Sequence, residues 1–434
     1  MPPAPAHPSP STALTPPLGP VRSQWLVVAA CCVIMMTEGF DLLIYSNAIP
    51  SLLMDKDMGI DKAQAGTIGS MIFLGMLLGG VMAGRLTQSL GLARTVSYGF
   101  AGFTAATTLI ALVQSGWQFG ALRLLAGFGL GVVLPAGLSL ARKHSQQHHG
   151  AMAISIVMSG IPLGGMLAAV VSHAIIPHWG WRPLFVAGGI IGLLAILSIA
   201  PYLGRIERQA RHSDANQTVR QHDWRTILRG ASLGVLVLGT LATLADLLTW
   251  YGVSVWLTQL MREFDVPFTD AMQMMFTLNT GAIVGSLLTA SLAFRWGSRP
   301  VAIVAGLLAS ACLVLVAARV LNGWGLFAVI ALLGMSAISA QNLVNALVAD
   351  AFPEHYRAAA IGITLGLGRL GAVIAPVLGG HILAAGYGPS SVLLVFAVSA
   401  GVGALVLLGL STTLSRRCLA SLSPPRSRTE DQHP

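Results

Sequence analysis

Five ionisable side chains stand inside long apolar runs: Glu38, Asp41, Arg123, Asp246 and Arg369. A charge at membrane depth is costly, so each of the five is a functional candidate. Glu38 and Asp41 lie three residues apart and share a helix face. Counted along their runs, Glu38, Asp246 and Arg369 fall near mid-depth, and Arg123 lies nearer one surface. A shielded carboxyl can take up and release a proton as its surroundings change. A guanidinium can grip a carboxylate through two hydrogen bonds. Together these groups supply the minimum for coupling an organic anion to H⁺: Arg369 holds the anion while Glu38 or Asp41 carries the proton. The competing reading is a set of ion pairs that merely neutralise one another between helices. For Asp246, read as lining the anion site, both readings stay open; for Arg123, conformational coupling or packing is expected rather than contact with the anion.

Rings and amides surround these charges in sequence. Trp250 and Tyr251 follow Asp246 by four and five residues, and Tyr45 follows Asp41 by four. Such rings can sandwich an aromatic ligand or serve as plain packing. Gln341, Asn342 and Asn345 can bind a hydroxyl or carboxylate oxygen, or hydrogen-bond one helix to another. His144, His148 and His149 lie in a short polar loop without carboxylate or cysteine partners and read as a solvated basic loop. Cys31, Cys32, Cys312 and Cys418 show no metal-ligand spacing and read as packing residues or free thiols. No run carries a His/Asp, Cys/His or metal constellation suited to catalysis, so neither an enzyme, a cofactor nor a metal is expected.

The elements that must position these groups are hydrophobic helices. Of 434 residues, 54% are hydrophobic and only 9% charged, against about 25% charged in a soluble chain. That composition excludes a soluble monomer and a disordered chain. Apolar runs of about 20 residues, enough to cross about 30 Å of hydrocarbon, fall near 25–53, 64–87, 95–113, 117–141, 151–175, 183–203, 231–258, 270–293, 300–320, 324–349, 358–384 and 391–412. Twelve spans place both termini on one side. Of the 25 Lys+Arg, only Lys56, Lys62, Arg182, Arg262 and Arg319 fall on the opposite side, and Arg123 and Arg369 lie within spans. This bias predicts cytoplasmic termini in a bacterial-type inner membrane. The net charge of +9 follows from loop positions, with no basic stripe interleaved with aromatics, which argues against a nucleic-acid partner.

The longest polar stretch, 204–230, reads as a cytoplasmic linker dividing six spans (25–203) from six (231–412). Residues 1–24, rich in proline, and 413–434 read as disordered cytoplasmic tails. One constant offset pairs Gly75 with Gly281, Gly79 with Gly285, Gly91 with Gly297, Gly160 with Gly366, Gly165 with Gly371, Gly180 with Gly386 and Pro183 with Pro389. A duplicated six-helix unit accounts for this register. The expected fold is an all-α membrane protein, twelve transmembrane helices in two pseudo-symmetric bundles, with a site at their interface. Each six-plus-six unit encloses its own site, so a monomer is expected.

Several stretches resemble the major facilitator superfamily and, within it, the aromatic acid:proton symporter family. The first span reads Glu38-Gly39-Phe40-Asp41 and ends at Pro50, similar to that family's acid-Gly-aromatic-Asp signature. Gln64 to Ser70 with Gly75-Met76 resembles the benzoate-transporter branch. Arg123, Gly127, Gly129, Gly131 and Pro135 match the superfamily's arginine-glycine pattern in the fourth span. Phe352-Pro353, Arg357, Gly366, Gly368-Arg369, Gly371, Pro376 and Gly379-Gly380 match the family's eleventh. The resemblance implies that Glu38 and Asp41 are needed for transport, with Glu38 standing where Asp is commoner. It also exposes departures. The loop after the second span keeps Gly84, Leu86 and Gly91 but has Gln88, Ser89, Leu92 and Ala93 where relatives carry an acid and basic residues. Its second copy keeps Arg295, Gly297 and Arg299 but has Phe294 at the acid position. Arg142-Lys143 stands where relatives carry a glutamate. Because those residues latch the two halves in relatives, the outward-facing state is expected to be latched differently or more weakly here.

The function expected is proton-driven import of a small aromatic carboxylate, benzoate or a hydroxybenzoate, by alternating access. Two alternatives stand beside it. One is a proton-coupled efflux antiporter, echoed loosely by Gly160-Ile-Pro162-Leu-Gly164-Gly165. The other is a transporter-derived membrane sensor of aromatic acids.

Overall fold

A computed structural model describes residues 21–144, 150–213 and 224–422. Twelve helices follow the twelve apolar runs: α1 (Val21–Met54), α2 (Lys62–Leu90), α3 (Leu92–Leu109), α4 (Gly116–His144), α5 (Gly150–Trp179), α6 (Arg182–Ser213), α7 (Gly230–Glu263), α8 (Phe268–Trp296), α9 (Ser298–Ala317), α10 (Trp324–Ala351), α11 (Glu354–Ala384) and α12 (Gly388–Gly409). Eleven are long and apolar enough to cross a bilayer, and α6 contributes an apolar segment, Arg182–Leu197.

Local chemistry explains the helix ends. Asp61 opens α2 with a capping box: its carboxylate accepts from the Gln64 N–H, and the Gln64 side chain accepts from the Asp61 N–H. Gly91 and Gly297, with φ of 85° and 86°, make the matching turns after α2 and α8, a backbone region that glycine adopts without strain. Pro353 precedes α11, and Arg357 reaches back to cap Ala349 O at the end of α10, at 2.8 Å.

The repeat written in the glycine register is a packing repeat. A Cβ on Gly75 or Gly79 would collide with the Leu124 or Phe128 carbonyl of α4. Gly281 and Gly285 stand in the same relation to Ala331 and Met335 of α10. Likewise α1 packs on α5 through Gly39, Gly160 and Gly164, and α7 packs on α11 through Gly368 and Gly371. Small residues replace the hydrophobic effect as the means of close helix approach in lipid.

The halves meet through α1 with α7, α2 with α11, and α5 with α8. Polar links between them cluster toward the C-terminal end of α1. Lys62 Nζ lies 2.6 Å from Glu263 Oε1, Thr258 Oγ1 donates to Asn47 Oδ1 at 3.0 Å, and Ser70 Oγ donates to Val373 O at 2.6 Å.

Two stretches differ from expectation. The segment read as a disordered tail from 413 begins with α13 (Thr412–Leu422), whose Leu414, Cys418 and Leu422 pack onto a cluster with Val235, Leu236 and Phe352. Its apolar positions recur every four residues, which makes one sticky helical face out of a polar sequence. The stretch 204–230 holds the end of α6 and a short 3-10 helix, Trp224–Leu228, with Ile227 buried in the same cluster. Residues 1–20 of the expected leader lie outside the described residues.

Candidate functional site

The two acids of α1 do not act as one pair. Asp41 turns into its own half, where Thr107 Oγ1 of α3 donates to its Oδ1 at 2.8 Å and Arg123 Nη1 of α4 lies 3.5 Å from Oδ2. Both partners are closed off, Asp41 at 1% and Arg123 at 0% exposure. The Arg123 guanidinium also covers the Tyr45 ring, 4.3 Å from its centroid. Glu38 lies within electrostatic reach of Arg369 on α11, in the other half. It closes no ion pair among the described residues, and its Oε2 is buried without a hydrogen-bond partner. Arg369, half-buried, extends toward α2 and makes a long contact, 3.5 Å, to Met76 O.

Arg123 is thus a buried counter-ion, and the position read as nearer one surface places its charge beside Asp41. Nothing in the local sequence marks Thr107, because a threonine in an apolar helix ordinarily bonds its own backbone.

Tyr251 joins the Glu38–Arg369 pair. Its ring lies 4.5 Å from that of Phe73 on α2, and it stands within electrostatic reach of both charges. An aromatic pair spanning both halves therefore borders Arg369. Trp250 is buried in the core. Of the two readings of Tyr45, the contacts match packing: its hydroxyl donates to Ala65 O, and its ring is held between Arg123 and Phe119. The α1 turn that carries Asp41 toward α4 carries Tyr45 with it, leaving no free face for a ligand.

Asp246 faces α12, where a Cβ on Gly403 would lie 3.0 Å from its Oδ1. The α7 residues nearest in sequence that meet α11 include Thr243, Leu244 and Leu248. On a helix of 3.6 residues per turn, position 246 points away from that contact. Among the described residues its Oδ2 has no hydrogen-bond partner.

Of the α10 amides, Asn342 Nδ2 donates to Ser286 Oγ of α8 at 3.3 Å, a helix–helix bond. Gln341 Nε2 donates to Asn345 Oδ1 at 3.2 Å, and Gln341 Oε1 is buried without a donor. In the second loop copy, Arg299 caps the end of α12 through Leu407 O, at 2.9 Å, and Leu408 O, where a cation complements the helix dipole. Phe294 at the acid position is 93% exposed, and Arg295, like Gly84, is exposed. The side chains of Arg142, Lys143 and His144, with His148 and His149, lie outside the described residues.

The family model for the Major Facilitator Superfamily matches residues 28–245 and 239–430. The chain is 32% identical to the gentisate transporter of Corynebacterium glutamicum, over 87% of this chain and 86% of that one. It is 28% identical to the benzoate transport protein of Acinetobacter baylyi, over 83% and 84%. Among solved structures, the fold is similar to a D-xylose–proton symporter, with TM-score 0.73 and 15% identity over 88% of this chain and 97% of that one.

Proposed function

The chain belongs to the major facilitator superfamily, with aromatic acid transporters among its relatives, and we propose that it imports a small aromatic carboxylate together with H⁺, driven by the proton gradient without a cofactor. The observation that carries this reading is the unclosed Glu38–Arg369 pair between the halves, beside the closed Asp41–Arg123 pair within one half.

Arg369 offers the substrate carboxylate two parallel hydrogen bonds. An ionised Glu38 competes for the same guanidinium, so entry of the anion is favoured when Glu38 holds a proton. The ring of the substrate then lies against Tyr251 and Phe73, whose tilted arrangement suits aromatic contact. Because Arg369 and Tyr251 belong to the C-terminal half and Glu38 and Phe73 to the N-terminal half, filling the site draws the halves together. Asp41 serves as the second switch. Its protonation releases Arg123, and with it the packing of α1 against α4. One anion entering with one proton is electrically neutral; with two protons, entry also draws on the membrane potential. The cationic loops on the side of the termini favour a cytoplasmic position for that side, and a site formed by the two halves of one chain supports a monomeric unit.

The test is uptake of radiolabelled benzoate and hydroxybenzoates into proteoliposomes, with and without an imposed pH difference. Acidifying the outside should drive accumulation above the external concentration. Uptake indifferent to the pH difference would remove proton coupling, and absence of uptake of every aromatic acid would remove the substrate class.

A further inference from the structure

We propose that Asn47 is the detachable latch of a gate at the Lys62 end of the interface between the halves. Its Nδ2 stays bonded to its own half, and its Oδ1 makes and breaks a bond to the other half in each cycle; the inference rests on the transport reading above. Ser172, Asn47 and Thr258 stand on α5, α1 and α7, and all three are fully buried. Asn47 Nδ2 donates to Ser172 Oγ at 3.1 Å, inside the N-terminal half. Asn47 Oδ1 accepts from Thr258 Oγ1 at 3.0 Å, across to the C-terminal half.

Thr258 is the unusual member. Thr249, Thr277 and Thr280 donate to the carbonyl four residues back, the ordinary bond of a threonine in a helix. Thr258 donates to Asn47 instead, on the other half.

The position of this bond gives it a role. Asn47 follows Glu38 by nine residues, about 14 Å along α1, so it stands between the buried charges and the Lys62 end. Its surroundings are dry: Ala48, Leu52, Trp256 and Leu257 are fully buried, and Trp256 Nε1 donates to Pro376 O at 3.0 Å. At the same end the halves touch backbone to backbone. A Cβ on Gly66 would collide with Pro376 O of α11, and one on Gly380 with Lys62 O of α2. A ligand passing this end has to part α1 from α7, and so breaks the Thr258 bond. The Ser172 bond survives, because α1 and α5 stay packed through Gly39, Gly160 and Gly164.

With the gate closed, neither Asn47 Oδ1 nor Thr258 Oγ1 can reach water, so each needs the other. With it open, water replaces Thr258 at the amide oxygen. Removing the donor alone therefore penalises the closed state, where it leaves a buried acceptor unpaired, and spares the open one.

Spin-label distances between the α1–α2 and α7–α8 loops of the purified full chain test the proposal. Thr258→Val, which keeps the shape and removes the donor, should raise the population open at the Lys62 end about tenfold. Thr258→Ser keeps the donor and should retain the wild-type distribution. Ser172→Ala should lower the melting temperature and leave the distribution in place, since its bond is the same in both states. Asn47→Leu combined with Thr258→Val removes acceptor and donor together and should return the distribution to that of wild type or closer to fully closed. A distribution unmoved by Thr258→Val, or moved as far by Ser172→Ala, would overturn the latch without touching the transport reading. So would a double variant as open as Thr258→Val alone. A wild-type protein confined to closed distances at every pH, with and without benzoate, would overturn both.

Discussion

Asp41 Oδ2 and Arg123 Nη1 stand 3.5 Å apart, both sealed from solvent inside the N-terminal half. Thr107 and the Tyr45 ring hold the two from either side. A buried pair of this kind is badly damaged by removing one partner, because the other charge is left uncompensated, at a cost of about 3–5 kcal/mol.

Asp41→Asn should therefore lower the thermal stability of the purified protein and abolish uphill uptake. The double variant Asp41→Asn with Arg123→Met removes both charges and should recover most of the stability without recovering accumulation. Melting curves read the first effect and proteoliposome uptake the second. Full uphill transport by Asp41→Asn would refute the role given to this carboxyl.

Glu38 and Arg369 should separate binding from coupling. Glu38→Gln mimics the protonated acid, so it should bind the aromatic anion at least as well as wild type and lose the pH dependence of binding. Arg369→Lys keeps the charge but loses the planar fork, and affinity should fall by about ten- to a hundredfold. Titration calorimetry at mildly acidic and mildly alkaline pH distinguishes these outcomes.

How far this was legible from the sequence is shown by the first helix. The spans, the glycine register and the burial of Glu38 and Asp41 follow from apolar runs interrupted by charge. The divergence of the two acids does not. Three residues along a helix leave roughly 60° between side chains, enough to aim Glu38 across the interface and Asp41 into α4. The side toward which each turns is set by partners far away in the chain, Arg369 and Arg123. The same limit hid the Lys62–Glu263 contact, whose members lie at the ends of different spans with no local spacing to join them. It also left the facing of Asp246 and Tyr45 open, since depth is readable from a sequence and azimuth is not.

Asp55, in the loop after α1, offers a pH readout outside the bilayer. Trp181 Nε1 donates to its Oδ2 at 2.9 Å, and this bond, with the N–H groups of Asp57 and Met58 and the nearby Arg182, holds its carboxyl below the usual range. A lowered value means that the contribution to stability is complete above the unfolded pKa, about 4, and is lost as pH falls through the folded one. The anchor between α1 and α6 should thus be insensitive to pH from neutral down to about 4. Asp55→Asn keeps an acceptor for the indole and should melt almost as wild type, whereas Asp55→Ala leaves the indole unpaired and should melt lower. Equal melting of all three would show that the anchor contributes nothing.

The last prediction concerns which way the transporter faces at rest. In the described structure, the polar links between halves gather at one end, with Lys62 bound to Glu263 and Asn47 to Thr258. At the other end, the loop after α2 has Gln88 and the loop after α8 has Phe294, so the acids that would latch that end are missing. The Lys62–Glu263 pair is partly exposed, at 37% and 18%, and pairs of that kind contribute at most about 1 kcal/mol. Lys62→Gln should therefore shift the balance of the two states by no more than about fivefold, toward opening of the Lys62 end. Gln88→Asp should shift it the same way by strengthening the opposite end. Spin labels on the α1–α2 and α7–α8 loops would report both shifts as a growing population at long distance. If Gln88→Asp leaves the distance distribution as it was, the lost acid is not what sets the resting state.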